Sequence, residues 1–77
     1  MQASLTPQQL AEHVRTAMYA NDGASQALGM QVVAISPTSA TVTMAVRADM
    51  LNGHATCHGG FITTLADSAF AFACNAG

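Results

Sequence analysis

Asn52-Gly53-His54-Ala55-Thr56-Cys57-His58-Gly59-Gly60, running on into Phe61-Ile62-Thr63-Thr64-Leu65-Ala66-Asp67, decides the architecture of this chain. A polar loop with histidines, a cysteine and paired glycines enters an apolar segment at helical spacing, and that segment carries one acid two turns in. A helix N-terminus has unpaired backbone N–H groups and a partial positive charge, which suits a polarised carbonyl or an oxyanion. Asp67 adds a carboxylate for base or nucleophile chemistry. The ordinary reading of Asp67 is a solvated acid on the polar side of a helix. Two features favour chemistry: it is the sole ionisable side chain of conventional acid–base type between His58 and Cys74, and Thr63, Thr64, Ser68 and Ala71 around it are small enough to leave room for a ligand.

Outward from this stretch, the apolar pattern runs to Asn75, with Phe61, Ile62, Leu65 and Phe72 expected on one wide face and Asp67 opposite them with Thr63, Thr64 and Ala71. Gly77 stands where a C′ glycine would end the helix. Apolar residues cover most of its circumference, as expected for a helix buried by a sheet wrapped around it. Upstream, Ser39 to Ala48 alternates, with Ala40, Val42, Met44, Val46 and Ala48 on one face, which predicts a half-buried strand. Met30 to Ser36 is a second strand, joined to it by a Pro37-Thr38 turn in an antiparallel hairpin. Thr6-Pro7-Gln8-Gln9 is a helix start with a capping box. Leu10, Val14, Ala17 and Met18 form the expected apolar stripe, with Gln8, Glu12 and Arg15 off it, and Asn21-Asp22-Gly23 ends that helix. Residues 24–28 form a further short turn stopped by Gly29. The expected elements are therefore a helix over 6–21, strands over 30–36 and 39–48, a loop over 49–58 and a central helix over 59–76. The fold class is α+β.

The 77 residues are half hydrophobic and only 8% charged, with net charge −2 and two cationic side chains, Arg15 and Arg47. An ordinary domain has about a quarter of its residues charged. So few charges imply apolar surface covered by another subunit, by more of the same domain, or by both, and the chain reads as the N-terminal portion of a longer domain. The absence of a basic patch argues against nucleic acid as a partner. No apolar run reaches the length of a membrane span, and no basic segment precedes an apolar stretch as in a secretory signal, so a cytoplasmic chain with reduced thiols is expected. His54, Cys57 and His58 lie close together, but their spacing fits no closed zinc set and no fourth ligand is visible, so no metal is expected. Gly59-Gly60 alone is a loop-to-helix hinge or a place for close backbone approach, and Asn52-Gly53 alone is a turn.

Leu51-Asn52-Gly53-His54, Cys57-His58-Gly59-Gly60, Leu65-Ala66-Asp67-Ser68-Ala69-Phe70-Ala71 and Ala73-Cys74-Asn75 together resemble the hotdog-fold acyl-CoA thioesterases, within them the phenylacetate-degradation (PaaI-type) group. The resemblance continues upstream through Ala17 to Asp22, Ala27 to Met30 and Thr41 to Met44. It implies a hotdog fold, an antiparallel sheet wrapped around a long central helix, here cut off after that helix. It also implies thioester hydrolysis of phenylacetyl-CoA or hydroxyphenylacetyl-CoA type substrates. In that reading the Gly59 N–H polarises the thioester carbonyl, Asp67 is general base or nucleophile, Asn52 orients water or substrate, and His58 supports the carbonyl end. Leu51, Gly60, Thr64 and Ser68 are the expected substrate contacts. No cofactor is implied beyond the coenzyme A of the substrate, and self-association to a dimer or tetramer is expected. A non-catalytic acyl-CoA binding module and an inactive fragment are the rival readings.

Overall fold

The computed structural model describes residues 4–76, so Gly77 and its expected capping role lie outside the described residues. Helix α1 spans Pro7–Asn21, α2 Gly23–Ala27, strand β1 Gln31–Ser36 and β2 Ser39–Thr43; a single 3-10 turn covers Ala48–Met50, and α3 spans Gly59–Asn75. The two strands form an antiparallel hairpin, and α3 packs across both, chiefly β2. The cluster of buried apolar residues joins Ala11 of α1, Ile35 of β1, and Phe72 and Ala76 at the end of α3.

Local chemistry sets the helix ends. Thr6 Oγ1 accepts the Gln9 N–H at 3.1 Å while Gln9 Oε1 accepts the Thr6 N–H at 2.9 Å, closing the capping box ahead of Pro7. Asp22 ends α1 and starts α2, its Oδ1 accepting the Ser25 N–H at 2.9 Å. The far end of α2 is a Schellman motif: the Gly29 N–H bonds Gln26 O at 3.0 Å, the Met30 N–H bonds Ser25 O at 2.9 Å, and Gly29 has φ +68°.

The inward face of α1 differs from the expected stripe. Leu10 and Ala17 are exposed, whereas Ala11 is buried and Met18 and Tyr19 are half-buried. Gln8 and Arg15, expected off the stripe, reach across to β1. Gln8 Nε2 donates to Ile35 O at 2.7 Å, Arg15 Nη1 to Val32 O at 3.3 Å, and Tyr19 Oη to Met30 O at 2.6 Å. Helix α1 thus runs antiparallel to β1 and supplies side-chain donors to the carbonyls of Ile35 and Val32 in the strand and of Met30 just ahead of it.

The second strand stops at Thr43, short of the expected 48. Thr43 pairs with Gln31, the first residue of β1, so residues 44–48 have no strand opposite them. Arg47 instead donates to Ala27 O at 3.0 Å and pairs with Asp49 at 3.1 Å, which turns the chain into the 3-10 turn and buries Met50. The expected alternation holds through Met44 and fails at Val46, which is 56% exposed.

The shape shows how little of α3 two strands can cover. The radius of gyration is 14.6 Å, against about 11.5 Å for a compact domain of this length. The accessible surface is 5043 Å², against about 4400 Å² for a compact protein of this mass. Phe72 is 1% exposed, but Phe70 is 70% and Ile62 55% exposed. The wide apolar face expected to include Ile62 is therefore only partly buried, because the hairpin reaches one side of α3.

Candidate active site

The loop ahead of α3 is organised by Asn52. Its Oδ1 accepts the His54 N–H at 2.9 Å, the Thr56 N–H at 3.3 Å and the Thr56 hydroxyl at 3.1 Å. The Asn52 N–H donates to Thr56 O at 2.8 Å, and Leu51 and Cys57 form an isolated bridge at the neck. The His58 N–H donates to the carbonyl of buried Met50 at 2.8 Å, which anchors the end of the loop. With Oδ1 spent on the loop, Asn52 Nδ2 is the group left to meet water or a substrate, having no acceptor among the described residues. The loop's left-handed residue is Ala55, at φ 58°, rather than Gly53, although a side chain there costs about 1–2 kcal/mol.

His58 precedes the first turn of α3 and is exposed; its backbone, not its ring, makes the loop contact. Cys57 is half-buried, with Sγ 3.6 Å from His58 O, and both cysteines are free. Among the described residues no side chain caps α3, and the Gly59 and Gly60 N–H groups meet no acceptor. Neither glycine has a positive φ, and a Cβ at either would meet nothing within 4 Å. Among the described residues, neither the conformational need nor the lack of room that usually explains such a pair is present.

Asp67 is exposed on α3 and makes no hydrogen bond or ion pair among the described residues. Eight residues separate it from Gly59, about 12 Å of helix rise. A carbonyl cannot lie within hydrogen-bond reach of both in one chain. Thr64 and Ser68 are half-buried with their hydroxyls engaged: Thr64 Oγ1 donates to Gly60 O at 2.8 Å, and Ser68 Oγ lies 3.0 Å from Ser25 Oγ. Leu51 is 40% exposed at the mouth of the loop. A groove of about 500 Å³ lies between α1 and β1 along Arg15, Tyr19, Met30 and Val32, and contains none of the candidate residues. A site built on an exposed helix face becomes a pocket only when something covers that face, so the groove does not displace Asp67 as the candidate centre.

The contribution of Asp22 and Ser25 was not legible in advance. An Asp three residues before a Ser is a recognisable cap, but the link from Ser25 to Ser68 spans 43 residues of sequence. Among the described residues no three His, Cys, Asp or Glu side chains group as metal ligands would, and no helix is long and apolar enough to cross a membrane.

No protein-family model matches the chain. It is 54% identical over 59 residues to the acyl-coenzyme A thioesterase PaaI of Escherichia coli (strain K12), an alignment covering 77% of this chain and 42% of that protein. The solved structure of the E. coli PaaI protein from the phenylacetic acid degradation operon superposes with a TM-score of 0.90 at 46% identity, over 92% of this chain and 51% of that one. The chain spans about half the length of these relatives. In sequence and in architecture this chain is homologous to E. coli PaaI, and its helices and two-stranded antiparallel sheet match part of that protein's hotdog fold.

Proposed function

We propose that the protein carrying this chain hydrolyses the thioester of acyl-CoA substrates of the phenylacetyl or hydroxyphenylacetyl class. The observation that carries this reading is the glycine pair at the start of α3. Gly59 and Gly60 forgo about 0.5–1 kcal/mol of helix stability each relative to alanine, without a positive φ or a neighbour to require it. Bare backbone with unpaired N–H groups at a helix start suits a carbonyl approaching from outside the chain. Homology to a thioesterase supports assigning that carbonyl to a thioester.

In this mechanism the Gly59 N–H, aided by the positive end of the α3 dipole, stabilises the oxyanion that forms as the carbonyl carbon becomes tetrahedral. Asp67 either takes a proton from the attacking water or attacks the carbonyl itself, and coenzyme A leaves as the thiol. Asn52 Nδ2 and the His58 ring border the approach, and Leu51 and Gly60 meet the substrate. The separation of about 12 Å between Gly59 and Asp67 makes the site composite, with Asp67 of one copy facing Gly59 of another. The exposed Phe70, about 60° around α3 from Asp67, fits burial in such an assembly.

The test is hydrolysis of phenylacetyl-CoA by the full-length protein, followed through the released thiol. Asp67→Asn is expected to lower kcat about 100-fold or more with little change in acyl-CoA affinity. Wild-type turnover by that variant removes Asp67 from the chemistry. Tight acyl-CoA binding without hydrolysis by the unaltered protein favours a binding module instead.

A further inference from the structure

Asp22, Ser25 and Ser68 form a hydrogen-bonded chain from the α1–α2 junction into the central helix. Ser25 is 0% exposed. Its hydroxyl lies 2.6 Å from Asp22 Oδ2 and 3.0 Å from Ser68 Oγ. A carboxylate only accepts, so the Ser25 proton is committed to Asp22 and the Ser68 hydroxyl donates to Ser25. Asp22 is itself held, because its other oxygen caps α2 at the Ser25 N–H. The Schellman closure of α2 then ties the Ser25 carbonyl to the N–H of buried Met30, and Tyr19 holds the Met30 carbonyl. The chain therefore ends on a rigid corner.

Ser68 is the residue after Asp67, about 100° around α3. When Ser68 points into the corner, Asp67 is turned to the exposed side. Apolar packing is non-directional and tolerates rotation of a helix about its axis. The link from Ser68 to Ser25 does not, because rotation separates the two hydroxyls and leaves the half-buried Ser68 hydroxyl without its partner, while Ser25 stays fixed on Asp22. A rotation of about 20° would carry a side-chain tip on the helix surface, some 5–6 Å from the axis, by about 2 Å. Displacements of that size matter at a reacting centre, where 1 Å costs about 100-fold in rate.

We propose that Asp22 and Ser25 are positioning residues that act through Ser68 to set the rotation of α3 and so aim Asp67. The inference rests on the reading of Asp67 as the reacting carboxylate. It also gives Ser68 an inward structural role in place of the substrate contact that the family resemblance suggested.

The experiment compares kcat, KM and thermal stability of full-length Ser68→Ala, Ser25→Ala, Asp22→Ala and Asp22→Asn with those of the unaltered protein and Asp67→Asn. Ser68→Ala and Asp22→Ala are expected to lower kcat about 10- to 100-fold in folded protein, with KM within about 2-fold. Asp22→Asn is expected to recover most of kcat. Its Oδ1 still caps Ser25, and its Nδ2–H donates to Ser25 Oγ, so Ser25 then donates to Ser68 and the two side-chain links survive with their direction reversed. A merely structural chain would lose thermal stability in these variants while the folded fraction kept its kcat. If Ser25→Ala does not fold, the half-buried Ser68→Ala still decides the matter. Folded Ser68→Ala with wild-type kcat, beside an inactive Asp67→Asn, overturns this inference alone. Undiminished turnover in Asp67→Asn, or none in the unaltered protein, overturns the functional reading and this inference with it.

Discussion

Gly59→Ala separates a glycine kept for folding from one kept for an approaching ligand. The residue opens α3 with a negative φ, and a Cβ there meets nothing within 4 Å. Alanine in place of glycine inside a helix is worth about 0.5–1 kcal/mol. At the first helical position the lower end applies, about 0.5 kcal/mol. The 59 aligned residues are 42% of the E. coli relative, which makes that protein about 140 residues long. At that size the gain corresponds to a rise of about 1–2 °C in Tm. Activity should move the other way, because the methyl group crowds the place where the thioester carbonyl meets the N–H; losing one oxyanion donor costs about 100-fold or more in kcat. The assay is paired: thermal unfolding of the full-length variant, and phenylacetyl-CoA hydrolysis on the same sample. A lowered Tm would show that the glycine serves folding or assembly. Wild-type kcat would show that nothing approaches it during turnover. Either result refutes the reasoning.

Other consequences are open to equally direct measurement. Asn52→Ala should deprotect the His54 and Thr56 amides in hydrogen exchange, while Asn52→Asp, which keeps an acceptor oxygen for the same donors, should preserve their protection. Gly29→Ala should destabilise the protein by about 1–2 kcal/mol in denaturant unfolding, since the side chain has space but the left-handed backbone opposes it. Ala55→Gly should stabilise by up to about 1 kcal/mol in the same assay, by relieving the left-handed alanine. Phe72→Ala removes the largest fully buried side chain of the core and should cost about 3–5 kcal/mol, read from the denaturant midpoint.

Sequence alone determined the features that depend on near neighbours. Thr6-Pro7-Gln8-Gln9 closes its own capping box, and Gly29 closes α2, because every partner lies within a few residues. The Ser39–Thr43 alternation and the long apolar run after Gly59-Gly60 are likewise period signals that need no tertiary information. The candidate residues Asn52, His58, Gly59, Gly60 and Asp67 were legible as a loop leading into a helix start with one acid two turns on. Their family resemblance is matched by the homology to the PaaI thioesterase and its structure.

Tertiary structure decided what depends on distant partners. The second strand ends at Thr43 because β1 begins at Gln31, a limit invisible in an alternation that continues to Ala48. Helix α1 presents Gln8, Arg15 and Tyr19 to β1 because they donate to the carbonyls of Ile35 and Val32 in that strand and of Met30 just before it, and these hydrogen bonds override the stripe of Leu10 and Ala17. Ser68, which periodicity leaves beside Asp67 and available to a ligand, is drawn inward by Ser25 and Asp22. A local pattern specifies an element and its end signals. Which face of that element turns inward depends on the polar groups of segments far away in the chain, and these meet only when the fold closes.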